Sequence, residues 1–229
     1  MNKLLKKLLS PFSSAAYQQE LRNSTNIRLR LQNRALESTC EYIENNMAHL
    51  VSVIGREKVL LKAISETKID GLYCEFGVYK GYTLNFIQAN TSNTIHGFDS
   101  FNGLPEFWID GFDKDAFELP NTPQFSGNVK IHEGYYDYSL PIFLNNHKES
   151  IAFMHIDCDL YSSTKTIFDL CKDRIKPGTV ISFDEYFNYP GWQHGEFKAF
   201  QEFIQNSELS YEYITYNAMH LQVAVRIIQ

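Results

Sequence analysis

The chain has 229 residues, of which 44% are hydrophobic and 21% charged, and its formal net charge is −6. This length and composition are typical of a soluble globular protein with one sizeable core. Because phosphate binding needs clustered lysine and arginine, the acidic balance argues against nucleic acid as the main partner. No apolar run approaches the roughly 20 residues that span a bilayer, so we expect no transmembrane segment.

Residues 1–10 mix leucines with lysines, which favours a short amphipathic helix over a signal peptide, because Lys6 and Lys7 interrupt the apolar stretch. Such a helix would make weak contact with a membrane surface or with a second subunit, and we expect a homo-oligomer. A frayed terminus is the alternative. The four cysteines form no C-x-x-C pair, which indicates buried thiols in a reducing compartment and therefore a cytoplasmic protein.

The order of apolar patterns predicts the class of fold. Helical periodicity from Asn26 to Lys68 predicts two helices separated near Gly55, and we assign residues 1–68 to an N-terminal helical extension and residues 69–229 to the main domain. Beyond residue 68, five short apolar runs alternate with helical patterns. The runs are GLYCEFG, TIHGFD, NVKIHEG, IAFMHID and TVISFDEY. This alternation predicts a mainly parallel sheet covered by helices on both faces.

The C-terminal runs SYEYITYN and LQVAVRII behave differently, because only a short linker (Ala218 to His220) joins them. Consecutive strands with so short a connection must be antiparallel. We therefore predict an α/β, Rossmann-like fold: a seven-stranded, mostly parallel, doubly wound sheet closed by a C-terminal antiparallel hairpin and preceded by N-terminal helices. This is the layout of class I methyltransferases.

One long connection, from Gly103 to Gly127, is rich in glycine, proline and aromatic residues and has no helical or strand periodicity. Long irregular connections in compact domains are typical of active-site lids. We therefore predict a lid here. The alternative is a surface loop whose aromatic side chains pack on the domain.

The first strand end carries an E-x-G-x-x-x-G pattern formed by Glu75, Gly77 and Gly81. Ligands of open parallel sheets bind at the carboxyl ends of the strands. A glycine turn lets the backbone approach a ligand, and helix amides together with Glu75 suit a ligand end that carries both carboxylate and ammonium. The methionyl part of S-adenosylmethionine carries both groups. A nicotinamide dinucleotide fits less well, because Tyr79 occupies the place of the second glycine in its motif.

The next two strand ends complete a nucleoside site. Asp99 lies 22 positions after Gly77, a spacing typical of an acid that accepts hydrogen bonds from ribose hydroxyls. The glycine and tyrosines after the third strand suit an adenine ring. The predicted cofactor-binding residues are Glu75, Gly77, Tyr79, Gly81, Asp99, Ser100, Gly134, Tyr135, Tyr136 and Asp157.

Four acids follow the fourth and fifth strands: Asp157, Asp159, Asp184 and Glu185. Crowded carboxylates repel one another unless a cation neutralises them, and oxygen ligands suit Mg²⁺ or another divalent cation. If the strand continued through Asp157 and Asp159, these side chains would face opposite ways. We favour Asp159, Asp184 and Glu185 as ligands, with Asp157 as a further ligand or base. Helix caps and solvated acids are the alternative.

A cation at these acids would lower the pKa of an acceptor hydroxyl and orient it, while a carboxylate takes its proton. The candidate catalytic residues are Asp157, Asp159 and His194, which follows the second acidic motif.

Four segments, YCEFGVYKGYT, HGFDSFNGLPE, HIDCDLYSSTK and FDEYFNYPGWQHGEFKAFQEF, resemble the macrocin O-methyltransferase family over about Leu72 to Ile227. The resemblance implies S-adenosylmethionine as donor, Mg²⁺ as metal and a sugar hydroxyl as acceptor. It places Glu75, Gly77 and Asp99 at the donor, and Asp159, Asp184 and Glu185 at the metal. Catechol-type relatives have a lysine base where this chain has Leu160, so the base stays open.

Two other functions are alternatives to the methylation of a sugar or glycosylated small molecule. Asp157-Cys158-Asp159 is a D-x-D motif, which metal-dependent glycosyltransferases use to hold a sugar nucleotide, but it leaves Asp184 and Glu185 unexplained. A non-catalytic S-adenosylmethionine-binding protein would have no need for four carboxylates.

Overall fold

The structure is a computed structural model that describes residues 18–109 and 111–229. The predicted amphipathic segment at residues 1–10 lies outside the described residues. Residues 18–25 are helical and lead into helix α1 (Ile27–Asn46), where the Asn26 side chain accepts a hydrogen bond from Leu29 N at 3.1 Å. Helix α2 (Arg56–Glu66) follows Gly55, so the two predicted helices and their separation are confirmed.

Seven strands form one sheet: β1 (Leu72–Phe76), β2 (Ile95–Asp99), β3 (Val129–Glu133), β4 (Ile151–Ile156), β5 (Val180–Phe183), β6 (Ser210–Tyr216) and β7 (Val223–Ile228). Their order is β3-β2-β1-β4-β5-β7-β6. Neighbours among β1 to β5 are parallel, whereas β7 runs antiparallel to both β5 and β6. The predicted sheet and its C-terminal hairpin are confirmed.

The remaining helices are α3 (Tyr82–Ala89), α4 (Tyr136–Asn146), α5 (Tyr161–Cys171) and α6 (Glu196–Gln205). Side chains alternate along each strand, so the sheet contributes side chains to two hydrophobic cores. Cys74 and Met154 belong to one core, and Tyr73 and Phe153 to the other. Because every residue of β1 and β4 is buried, these strands form the centre of a two-sided core.

The helices before residue 68 share these cores. Ala35 in α1 and Met47 at its end belong to the first core, while Val59 and Leu60 of α2 belong to the second. Helix α2 packs against β5, β6 and β7. This packing brings the first residue of α2, Arg56, to the carboxyl ends of the strands.

The strand order places a crevice where ligands bind. The chain crosses from β1 to β2 on one side and from β3 to β4 on the other, so β1 and β4 flank the switch point. Between Gly103 and Gly127 the described residues contain no helix or strand, only a single bridge between Ile109 and Phe112. None of the helices in the described part of the chain is long and apolar enough to cross a membrane.

Candidate active site

A cavity of about 370 Å³ lies at the carboxyl ends of the central strands. This volume falls in the range of small-molecule sites. The predicted cofactor-binding residues that line it are Gly77, Tyr79, Asp99, Ser100, Gly134, Tyr135, Tyr136 and Asp157. The cavity therefore gathers residues from β1, β2, β3 and β4 that are distant in the sequence.

The turn after β1 is held by Asp99. Its Oδ2 accepts hydrogen bonds from Val78 N at 2.8 Å and Tyr79 N at 2.7 Å, and its Oδ1 accepts one from Phe101 N at 2.8 Å. Gly77 has φ +94, and a Cβ there would lie 1.7 Å from the carbonyl oxygen of Asp157. The glycine is therefore required by close contact between the ends of β1 and β4.

Glu75 and Gly81, also predicted at the cofactor, are not among the residues that line the cavity. Glu75 is fully buried beneath it, and its Oε1 lies 2.8 Å from Nδ1 of His155. Gly81 caps α3 with φ +77, where a Cβ would collide with the ring of Phe125. Glu75 is thus paired with His155, and Gly81 is the N-cap of the helix that follows the turn.

Aromatic side chains of the predicted lid form one wall of the cavity. The rings of Trp108 and Phe112 have centroids 5.2 Å apart, Phe112 stacks on Phe117 at 5.6 Å, and Phe117 meets Tyr79 edge-on at 5.4 Å. All four line the cavity. The segment is attached to α5 through Ser162, whose hydroxyl donates to Glu106 Oε1 at 2.5 Å.

The acids after β4 and β5 form the opposite side. Strand β4 ends at Ile156, and Asp159 has φ 64, so side-chain alternation stops before the acids and both Asp157 and Asp159 line the cavity with Glu185. Ligand atoms of these three residues lie within 4.8 Å of one another. An all-oxygen set at this spacing suits a hard divalent cation.

Asp184, which we predicted as a ligand, is not among the residues that line the cavity. It is fully buried, and its Oδ2 accepts a hydrogen bond from Arg56 Nη2 at 2.6 Å and one from Gln222 Nε2 at 3.3 Å. Its Oδ1 lies 3.9 Å from Nε2 of His155, and its ligand atoms group with those of His155 and Asp157 rather than with Asp159. Asp184 therefore holds Arg56 and His155 beside the cavity.

Burial and mutual repulsion govern the protonation of these acids. Burial, and then the charge of Asp184, raise the pKa of Asp159 to about 7 and that of Asp157 well above its usual range. The same causes raise the pKa of Glu185, whose buried Oε2 has no hydrogen-bond partner. Proton uptake or a bound cation would each relieve this crowding of buried acids.

Asp184 and its histidine neighbour behave in the opposite way. Burial disfavours both charges, but the nearby His155 and Arg56 hold the pKa of Asp184 below its usual value. Burial also opposes the charged form of His155, but Asp184 and Glu75 outweigh it and raise the pKa of His155 to about 10. His155 thus lies between the acids Glu75 and Asp184.

His194, our third candidate base, lies in a short 3₁₀ helix (Trp192–His194) and is exposed. It is not among the residues that line the cavity.

The sequence analysis missed Arg56, His155 and Glu196. Arg56 is 128 positions from Asp184, and nothing in its local pattern indicates the contact. Two signals were available for the others: His155 interrupts an apolar strand, and Glu196 is the first residue of an amphipathic helix. Buried ionisable groups in such positions are usually paired or functional.

Residues 74–186 match the family model described as "Methyltransferase domain". These residues form a methyltransferase domain. The match runs from β1 to the end of the second acidic motif, so it contains both the glycine turn and the four acids. A search among curated proteins found no match.

Solved structures share the fold of the methyltransferase domain and of the helices around it. The calicheamicin methyltransferase CalS11 is 19% identical over 88% of this chain and 93% of its own, with a TM-score of 0.59. The apo form of CalS11, described as a TDP-rhamnose 3′-O-methyltransferase, is 18% identical over 86% of this chain and 93% of its own, with a TM-score of 0.55. The O-methyltransferase NovP is 17% identical over 76% of this chain and 78% of its own, with a TM-score of 0.56. The predicted class I methyltransferase fold is confirmed.

Proposed function

We propose that the chain is an S-adenosylmethionine-dependent O-methyltransferase that uses Mg²⁺, or another divalent cation, to methylate a hydroxyl of a sugar or glycosylated small molecule. One observation carries the proposal. The acid group of Asp157, Asp159 and Glu185 and the glycine turn held by Asp99 line the same cavity. A donor site and a site for activating a hydroxyl thus adjoin within a methyltransferase domain.

The donor would occupy the side formed by the glycine turn. S-adenosylmethionine supplies an electrophilic methyl group when bound. Asp99 holds the amides of the turn in place and retains acceptor capacity for ribose hydroxyls, because a carboxylate can accept about four hydrogen bonds. Tyr135 and Tyr136 offer an aromatic wall for the adenine ring.

Asp157, Asp159 and Glu185 fit a hard cation. Their atoms lie within 4.8 Å of one another, Glu185 Oε2 lacks a partner, and burial followed by mutual repulsion raises their pKa values. A bound divalent cation would supply Lewis-acid activation of the acceptor hydroxyl. This ligand set replaces Asp184 of our sequence-based set with Asp157, because Arg56 and His155 already hold Asp184.

A base must take the proton of the acceptor hydroxyl. Asp157 and Asp159 both line the cavity, and a carboxylate there can take a proton from a bound hydroxyl. The exposed His194 would have to move to take part. We therefore propose that one of the two aspartates accepts the proton.

The aromatic wall supports a sugar as acceptor, because aromatic faces pack well on the apolar face of a sugar ring. CalS11 is a TDP-rhamnose 3′-O-methyltransferase, and NovP is an O-methyltransferase. The match to the macrocin family, a homo-oligomeric state and a cytoplasmic location remain predictions.

Transfer of a labelled methyl group from S-adenosylmethionine to a panel of nucleotide sugars, glycosides and catechols tests the proposal. We expect a sugar product, loss of turnover in EDTA and recovery with Mg²⁺. Glu185→Gln should lower kcat by roughly 10²-fold or more, which corresponds to about 3 kcal/mol of transition-state stabilisation. Asp169→Asn is the matched control, because Asp169 pairs with Lys165 on the exposed face of α5.

Full turnover in chelator would contradict the metal role and leave the acid group unexplained. Methylation of catechols but of no sugar would contradict the acceptor class while leaving the methyltransferase assignment intact.

A further inference from the structure

Glu196 is a fully buried acid at the first position of α6, next to the acid group but outside it. Its two carboxylate oxygens reach two different strand ends. Oε1 accepts a hydrogen bond from Cys158 N at 3.3 Å, and Oε2 accepts one from Glu185 N at 3.3 Å. The first amide lies between Asp157 and Asp159, and the second belongs to Glu185 itself. One side chain therefore connects the segments after β4 and β5.

The burial of the Glu196 carboxyl group is energetically unfavourable. None of the ion pairs among the described residues includes Glu196. A buried acid without a cationic partner, placed beside other acids, opposes folding. Two backbone N–H groups and the start of a helix offset only part of that cost.

We propose that Glu196 is a positioning residue that sets the distance between the acid-bearing ends of β4 and β5, and thereby the fit of a divalent cation between them. This inference rests on the proposed function, because it concerns the same cation site. Asp157 and Asp159 belong to one segment and Glu185 to the other, so the coordination geometry depends on how those segments are held together.

The surroundings of Glu196 hold it in place. A Cβ at Gly195 would lie 2.0 Å from the hydroxyl of Tyr189, so the chain before α6 packs directly against that ring. Cys158, whose amide Glu196 binds, is itself fixed, since its Sγ lies 3.2 Å from Thr164 Oγ1 at the start of α5. Both ends of the connection are therefore rigid, as a positioning role requires.

Two variants separate position from charge. Glu196→Gln keeps the length but replaces one accepting oxygen with an NH₂ group that faces a backbone donor. Glu196→Asp keeps the charge but is one methylene too short to reach both amides. If Glu196 acts through position, both variants weaken cation binding; if it acts only as a negative charge, the Asp variant binds as the wild type does.

The experiment is calorimetric titration of the full chain with Mn²⁺ alone and, separately, with S-adenosylhomocysteine. Both variants should bind Mn²⁺ roughly 10- to 100-fold more weakly, the usual effect of losing a group that orients metal ligands. Affinity for S-adenosylhomocysteine should change by less than about threefold, because the hydrogen bonds that hold the glycine turn come from Asp99 and not from Glu196. A purely structural defect would weaken both ligands together. Glu202→Gln is the control, because Glu202 lies on the same helix and accepts from Tyr161 OH at 2.7 Å.

Wild-type Mn²⁺ affinity in Glu196→Asp, or in both variants, would overturn the positioning role while leaving the cation site intact. A wild-type chain that binds S-adenosylhomocysteine but no Mn²⁺ would instead refute the metal part of the proposed function, and the inference with it. If Glu196→Gln does not fold, Glu196→Asp decides. If neither folds, Glu196 serves the fold itself and the inference is wrong.

Discussion

Asp157 and Asp159 reach the same cavity because β4 ends at Ile156 and the backbone of Asp159 turns into the left-handed region, with φ 64. A residue with a Cβ pays about 1 to 3 kcal/mol for such a conformation, and such strain is concentrated at functional sites. The alternation rule, applied to an unbroken strand, placed the two acids on opposite sides. The rule did not apply, because the strand ends before the two acids. The sequence did not show this, since a strand end cannot be located to one residue from sequence.

The acids themselves could be predicted from sequence, because four carboxylates at the tips of apolar runs are chemically unusual. The partners of Asp184 could not. Arg56 reaches Asp184 only because α2 packs on β5, β6 and β7, a tertiary contact that leaves no local pattern. Glu75 was predicted to bind the ligand directly, but the sequence does not show that His155 on the neighbouring strand lies beside it.

Gly77→Ala tests the contact between the ends of β1 and β4. The added Cβ would lie 1.7 Å from the carbonyl oxygen of Asp157 in a left-handed backbone, so the strand ends must separate. We expect loss of S-adenosylhomocysteine binding and a fall in the free energy of unfolding, measured by urea denaturation. The fall should well exceed the roughly 1 to 2 kcal/mol of a left-handed alanine alone.

Gly191→Ala is the matched control, because Gly191 has φ +84 but no atom within 4 Å of an added Cβ. Equal destabilisation by the two substitutions would show that backbone strain, and not the contact with Asp157, determines the effect.

The strands and helices could be predicted from the periodicity of their apolar residues. Burial on both faces leaves continuous apolar runs in β1 and β4, and burial of one face leaves an apolar stripe along a helix. The lid was predicted from its glycines, prolines and length. Its sequence did not reveal which aromatics face inward: Trp108 and Phe112 line the cavity, whereas Phe107 is 56% exposed. Irregular segments have no period from which to derive a facing side.

Trp108→Ala tests the lid. The indole forms part of the cavity wall, so its loss should raise the acceptor KM and lower kcat while donor affinity changes by less than about threefold, or ~0.7 kcal/mol. Steady-state kinetics with a sugar acceptor and calorimetry with S-adenosylhomocysteine measure the two effects.

Phe107→Ala, one position away and largely exposed, should leave both parameters near wild type. Limited proteolysis provides a second test: cofactor plus acceptor should suppress cleavage between residues 103 and 127. Identical kinetics for the two variants, or cleavage unaffected by ligands, would show that the segment is only a surface loop.

The sheet order of the whole molecule follows from rules of connection, because alternating strands and helices with a terminal hairpin admit few arrangements. The electrostatic balance of the molecule could not be predicted, since it depends on which ionisable groups become neighbours. His96 and His132, on adjacent strands, illustrate this: Nδ1 of the first lies 3.0 Å from Nε2 of the second. His147 and Lys130 add positive charge nearby, and Glu149 opposes them.

This histidine pair predicts a pH dependence of stability. Burial, and then neighbouring positive groups, lower the pKa of each to about 4 from 6.5. Between pH 6.5 and pH 4 the unfolded chain binds protons that the folded chain does not bind. The free energy of unfolding therefore falls as the pH drops from 6.5 to 4. The loss is at most about 1.4 kcal/mol per pH unit for each histidine.

His132→Gln removes one of these groups, so its thermal midpoint relative to wild type should rise as the pH is lowered from 7.5 to 5. The exposed His49→Gln serves as control and should track the wild type. Parallel pH curves for wild type and His132→Gln would rule out the pair as a source of acid sensitivity.

Calorimetric titration of the full chain with S-adenosylhomocysteine, compared with UDP, tests the central claim most directly. We predict one site with micromolar affinity, worth about 8 kcal/mol, no comparable binding of UDP, and a loss of ~1 to 3 kcal/mol in Asp99→Ala, which removes the acceptor that holds the turn. Tight binding of UDP without binding of S-adenosylhomocysteine would contradict the methyl-donor site and favour a sugar-nucleotide site at the D-x-D motif.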